Sequence, residues 1–172
     1  MKRIYDAANL VLLFLIGTFV FSWYPRLPER IPTHFDLAGN PDGWSGREAF
    51  FALAAVPFVM TLVFYVLIRF LPRIARDPRR LNIPHKEEFF KLPEDKQQVY
   101  WDLLREFFAG LMASLNFLFY VLLRGTVRIA AGETGLLPLK DMLPAFAAMG
   151  LILIFYMFRL MRTPGKLVRG EI

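Results

Sequence analysis

The 172-residue chain has no cysteine, which excludes disulfides, thiolate metal sites and cysteine nucleophiles at the outset. Histidine occurs twice, as His34 and His85. Charge is missing where apolar residues are dense. Four blocks, Ala7 to Tyr24, Ala49 to Ile68, Phe107 to Leu123 and Met142 to Phe158, contain no Asp, Glu, Lys, Arg or His. Proton pumps and ion-coupled carriers need ionisable groups within the span to bind and release charge, so a transporter acting alone is disfavoured. Internal repeats and low-complexity segments are also lacking.

What is present is apolar mass: 56% of the residues are hydrophobic and 18 are Phe, too many for an ordinary water-soluble domain of this size. At about 1.5 Å rise per residue, blocks of 17 to 20 residues match a hydrocarbon core of ~30 Å. Spanning strands are excluded, because four of them cannot close a barrel and would leave backbone groups unpaired in lipid. The sequence therefore predicts an all-α, integral membrane bundle of four transmembrane helices forming one domain. The spans fall at about residues 7–24, 46–71, 94–124 (with a cytoplasmic extension) and 141–162. Lys2 and Arg3 before the first block resemble the start of a secretory signal. The block lacks a small-residue cleavage site, however, and ends in Trp23-Tyr24-Pro25, so it reads as a retained span.

Net charge is +6, and its distribution gives an orientation. With both termini and the segment from Arg69 to Arg105 inside, 15 of the 21 Lys and Arg residues lie on one side. The expected placement is the plasma membrane, with both termini cytoplasmic. The basic excess then serves orientation and attraction to anionic headgroups rather than nucleic acid, for which no motif is present.

The outside loop, residues 25–47, is predicted to be ordered. Pro25, Pro28 and Pro32 favour extended backbone. Asn40-Pro41-Asp42-Gly43 fits a type I turn, and Ser45-Gly46-Arg47-Glu48 fits a capping box at the start of the second span. Pro57 is expected to kink the second span, and Pro72 to end it. Pro93 followed by Glu94 and Asp95 marks a helix start that runs into the third span, with Tyr100 and Trp101 at the membrane interface. The fourth span is expected to stop before Pro164-Gly165. Gly110 and Ser114, four apart, suit close helix packing within a bundle or along a homodimer seam, and Asn116 suits an interhelical hydrogen bond.

His34, Asp36, Asn40 and Asp42 are the candidate ligand or metal site. His34 and Asp36 share a face of an extended strand, and the residues after them can fold back. One imidazole, two carboxylates and an amide can hold a divalent cation, although the spacing matches no established metal motif. They can equally hydrogen-bond the backbone of an irregular loop, with Gly39, Gly43 and Trp44 as structural partners. No nucleophile–base set can be assembled, and Ser45 has a role as a cap.

The run Leu27-Pro28-Glu29-Arg30-Ile31-Pro32-Thr33-His34-Phe35-Asp36, continuing through Gly39, Asp42, Gly43, Trp44 and Arg47, resembles a bacterial and archaeal membrane domain of unknown function. That domain is found at the N-terminus of SdpI-type toxin-immunity proteins. Asn82-Ile83-Pro84-His85-Lys86-Glu87, with Leu92-Pro93-Glu94 after it, is similar to the cytoplasmic motif of short stand-alone members. There an Asn-x-Pro-x-Lys pattern is usually followed by Tyr-Trp, where this chain has Phe89-Phe90. The resemblance implies a protein that protects its cell against a secreted toxin and can hold a transcriptional repressor at the membrane.

Three functional readings stand on the sequence. The first is a non-enzymatic membrane protein whose outside loop binds an external peptide, lipid or protein. The second is a metal-dependent enzyme or metal sensor built on His34, Asp36 and Asp42. The third is an accessory subunit of a transporter. No cofactor is specified by the sequence.

Overall fold

The computed structural model describes residues 2–74, 82–137 and 139–172. Five helices and one hairpin follow in order: α1 (Lys2–Trp23), a 3-10 turn (Tyr24–Arg26), β1 (Arg30–Phe35), β2 (Pro41–Gly46), α2 (Ala49–Ile74), α3 (Lys86–Phe89), α4 (Glu94–Ala130) and α5 (Leu139–Val168). α1, α2, α4 and α5 are long and apolar enough to cross a membrane, which makes this a multi-pass membrane protein. The chain runs up, down, up and down, so the hairpin and the α4–α5 loop share one end of the bundle and the termini share the other.

α4 is the central helix. In its most apolar stretch 44% of residues are buried within the protein, against 17% in each of α1, α2 and α5. It packs against all three of these helices and against β1. The sequence allows this because one side of α4 is lined with small residues. A Cβ on Gly110 would lie 3.3 Å from both Ile152 of α5 and Tyr5 of α1. Ser114 is buried and returns its hydroxyl to the Gly110 carbonyl at 3.3 Å. The small-residue stripe thus brings α1 and α5 onto α4 within the same chain. The outward faces of the peripheral helices carry exposed Leu10, Phe14, Leu62, Leu151 and Ile154, as lipid contact requires.

α4 is 37 residues long, about 55 Å by helical rise, and its first turns extend past a hydrocarbon core of ~30 Å. These turns do not stand alone. Phe89 of α3, Tyr100, Trp101, Leu103 and Phe107 of α4, and Tyr156, Leu160 and Leu167 of α5 form a buried cluster at the termini end. Phe89 is fully buried and meets Phe90, Tyr100 and Trp101 edge to face. Tyr100 and Trp101 are therefore core residues of this cap.

Several boundaries differ from expectation for local reasons. α2 continues past Pro72 to Ile74, and α5 continues through Pro164 to Val168. Pro164 is buried beside Leu160 and Leu167, so tertiary packing holds the helix past it. Pro93 is the N-cap of α4 rather than its first helical residue. Of the loop at 72–93, residues 75–81, including Arg76, Arg79 and Arg80, lie outside the described residues.

Candidate functional site: the hairpin and the recess at its end of the bundle

The outside-loop sequence folds into a two-stranded antiparallel hairpin, and the sharp turn lies earlier than the Asn-Pro-Asp-Gly signal suggested. Residues 36–40 make the turn, while Pro41, Asp42 and Gly43 belong to β2. Asp36 decides this. Its Oδ1 accepts the backbone N–H groups of Ala38 at 2.9 Å and Asn40 at 2.8 Å, and its Oδ2 accepts the Asn40 side-chain amide at 2.8 Å. Backbone bonds from Asp36 N to Asn40 O and from Gly39 N to Asp36 O close the loop. An Asp side chain satisfying the N–H groups ahead of it outcompetes the type I turn four residues later. The same bonds hold the Asp36 pKa below its ordinary value, the Asn40 side-chain amide being the largest cause and the Asn40 N–H the next.

The capping box is likewise replaced. Ser45 lies in β2, where its hydroxyl is 3.0 Å from that of Thr33, and Glu48 stands directly before α2. Because the hairpin consumes Ser45, it is unavailable to the helix.

His34 pairs with Gly43 in the register, and its Nδ1 lies 2.5 Å from Asp42 Oδ1. Gly43 is required here: a Cβ would sit 2.8 Å from the His34 Cβ. Both side chains of the pair are exposed, 74% for His34 and 46% for Asp42, so the interaction adds little stability. Pro32 is buried opposite Trp44, which is itself 44% exposed. The register shifts on either side of His34, and these bulges interrupt the hairpin's hydrogen-bonding edges.

The four candidate residues therefore serve two arrangements. His34 and Asp42 form a cross-strand pair on the surface, whereas Asp36 and Asn40 build the turn. Among the described residues no three His, Cys, Asp or Glu side chains are grouped to hold a metal ion, and both Asp36 oxygens are committed to the turn. Ser45 bonds Thr33 rather than His34, so no nucleophile–base pair forms in the hairpin.

The hairpin is tied down at both ends. At its base Leu27 and Ile31 are buried with Ile16, Val20, Phe50, Leu123 and Val127. At its tip Leu137 N donates to Gly39 O at 2.9 Å, which pins the turn to the α4–α5 loop. Gly39 has φ +86°, and a Cβ there would lie 3.0 Å from the Leu137 carbonyl oxygen, so both conformation and space call for glycine. Among the residues left outward are Leu37, fully exposed, Trp44 and the His34–Asp42 pair, with Arg30, Ala38 and Asn40 also exposed. Leu37 was not singled out in the sequence; its position at the crown of an Asp-capped turn is the signal that could have found it.

A recess of about 470 Å³ opens at this end of the bundle, lined by Phe19, Trp23, Tyr120, Arg124, Val127, Arg128 and Glu133. The Arg124 guanidinium lies 5.9 Å from the centre of the Tyr120 ring, and Arg128 Nε is 3.3 Å from Glu133.

Within the bundle, Asn116 is almost wholly buried. Its amide donates to Asn9 Oδ1 at 2.8 Å and to the Thr61 hydroxyl at 3.1 Å, and Thr61 returns a bond to Asn116 Oδ1. Asn9 in turn donates to the Tyr5 and Ala109 carbonyls, both at 2.9 Å. This satisfied network joins α1, α2 and α4, and only Asn116 of it stood out in sequence. Nearer the termini, Asp6 accepts from the Tyr65 hydroxyl and, at 3.2 Å, from Arg105. Of the second motif, Asn82, Pro84 and His85 are exposed and Lys86 opens the short α3.

Residues 10–61, which hold most of α1, the hairpin and the first half of α2, match a family model described as Domain of unknown function (DUF1648). The chain is also similar to an uncharacterized protein of Archaeoglobus fulgidus, 28% identical over 94 residues, which is 54% of this chain and 51% of that protein. The match thus spans about half the length of that relative. No solved structure matches the chain.

Proposed function

We propose that this is a non-enzymatic recognition protein of the prokaryotic plasma membrane, with cytoplasmic termini and with the hairpin outside as the element that meets an external peptide or protein. The observation that carries this reading is the presentation of Leu37, Trp44 and the His34–Asp42 pair on a hairpin fixed at base and tip. A segment held this firmly loses little entropy on binding, and exposed apolar residues with polar neighbours are what a partner buries. The arginine-lined recess beside it favours a partner that also brings carboxylates.

Orientation follows the positive-inside bias. An immunity-like role, implied by the likeness to SdpI-type proteins, is the form of recognition in which an external toxin is the partner. Paired arginines and aromatics near both ends, such as Arg47 over Tyr24 and Arg159 over Phe155, support a bundle seated between two headgroup layers.

The test is expression in a strain sensitive to secreted peptide toxins, with Leu37→Asp and His34→Ala variants that reach the membrane at wild-type levels. Protection by the wild type, reduced at least tenfold by Leu37→Asp, is the expected result. Absence of protection, together with absence of any external peptide or protein crosslinked to a photoreactive residue at position 37, overturns the proposal.

A further inference from the structure

At the termini end a second recess, of about 320 Å³, is lined by His85, Met161, Arg162, Gly165, Lys166 and Arg169. From this recess we infer a binding site for a phosphate group of net negative charge, built by the His85 segment and the last turns of α5. The inference is independent of what the hairpin binds.

Cations at a helix C-terminus are often explained by the carbonyls they cap. Here the backbone already caps them. Arg169 N donates to Gly165 O at 3.1 Å, Gly170 N to Leu167 O at 3.2 Å and Glu171 N to Lys166 O at 2.9 Å, with Gly170 at φ +70°. The charged side chains are left for another purpose. Neither the Arg162 nor the Lys166 side chain makes a hydrogen bond to the described residues, and the one acid paired into the cluster is Glu171, 2.5 Å from Arg169 Nε and also within the field of Lys166. Arg162 stacks on Phe158 at 3.7 Å, which fixes the guanidinium plane while leaving its N–H edge available. Three permanent cations with one partner acid form an excess that an anion would neutralise.

Two backbone features bring the walls together. Gly165 admits its neighbours: a Cβ there would lie 3.2 Å from Arg169 Nη1 and 3.3 Å from His85 Cδ2. His85 holds φ +54°, a left-handed conformation that is strained for a residue with a side chain. Its carbonyl accepts from Phe89 N at 2.8 Å, and the buried Phe89 anchors that turn. The imidazole is thereby set against α5 beside the cations. Strain of this kind persists where surrounding structure enforces it, and it gathers at binding sites.

The phosphate can come from an anionic lipid headgroup or from solution. Met161, Phe158 and Ile154 expose an apolar track along α5 that leads away from the recess, as an acyl chain would follow. Purified protein in detergent would be titrated with a short-chain phosphatidylglycerol, with its phosphatidylcholine counterpart, and with inorganic phosphate, reading the thermal midpoint. A saturable rise with phosphatidylglycerol alone assigns a lipid, and a rise with inorganic phosphate assigns the free ion; either supports the site. Arg162→Gln and Lys166→Gln should each weaken the response about tenfold, as the loss of a charge-assisted contact does. Lys166→Arg should retain it, and Lys91→Gln, an exposed cation lining no part of the recess, should leave it unchanged. No rise with either anion, an equal rise with phosphatidylcholine, or equal weakening by Lys91→Gln overturns the inference.

Discussion

Asn116 of α4 donates to Asn9 of α1 at 2.8 Å, inside the bundle of spanning helices. Because lipid supplies no replacement partner, this bond and its extension to Thr61 fix how α1, α2 and α4 face one another. Asn116→Ala should lower stability by about 1–2 kcal/mol, since it strands Asn9 Oδ1 and Thr61. A double-mutant cycle with Asn9→Ala, read from unfolding in mixed micelles, should return a non-zero coupling; additive losses would separate the two residues.

Gly110 tests the packing that surrounds this network. Gly110→Val must displace both Tyr5 and Ile152, whose atoms already lie 3.3 Å from the position of a Cβ. Overpacking of this type costs about 1–3 kcal/mol. The thermal midpoint should fall for Val and much less for Ala; no difference between the two would contradict the close three-helix contact.

Phe89→Ala should unfasten the cap at the termini end. A fully buried Phe truncated to Ala typically costs about 3–5 kcal/mol. Trp101 fluorescence should shift to the red as its edge-to-face neighbour is lost, and an unchanged spectrum would show that the cap does not depend on Phe89.

The hairpin turn should be insensitive to acid until the pH is unusually low. Asp36 has a folded-state pKa below the ordinary 3.8, so its contribution is complete above that value and disappears as pH falls through the lower folded value. The Ala38 and Asn40 amide resonances should titrate with a midpoint below 3.8. A midpoint above 3.8 would mean that Asp36 does not hold the turn in solution.

How far the sequence could be read follows from the physics of each part. Four charge-free blocks are a demand of the hydrocarbon core itself, so the four spanning helices were visible from composition and length. The long α4 was visible from Pro93, Glu94 and Asp95. The hairpin was not, because Asn40-Pro41-Asp42-Gly43 and Ser45–Glu48 are strong local signals overruled by Asp36 and by the Thr33–Ser45 pairing across the strands. Asn9 and Thr61 escaped notice because a single polar residue in a span carries no record of its partner 107 or 55 residues away. Pro164 misled in the same way: its local preference is to stop a helix, and buried contacts on either side of it overrule that preference.

The proposed recognition requires that the hairpin face outward and the termini face the cytoplasm, and the absence of cysteine allows a direct measurement. Leu37→Cys and Glu171→Cys would each be the sole thiol of the protein. In intact cells a membrane-impermeant maleimide should label Leu37→Cys, whereas Glu171→Cys should react only after permeabilisation. The opposite pattern, with position 171 labelled in intact cells and position 37 protected, would contradict the orientation and with it the proposed recognition surface.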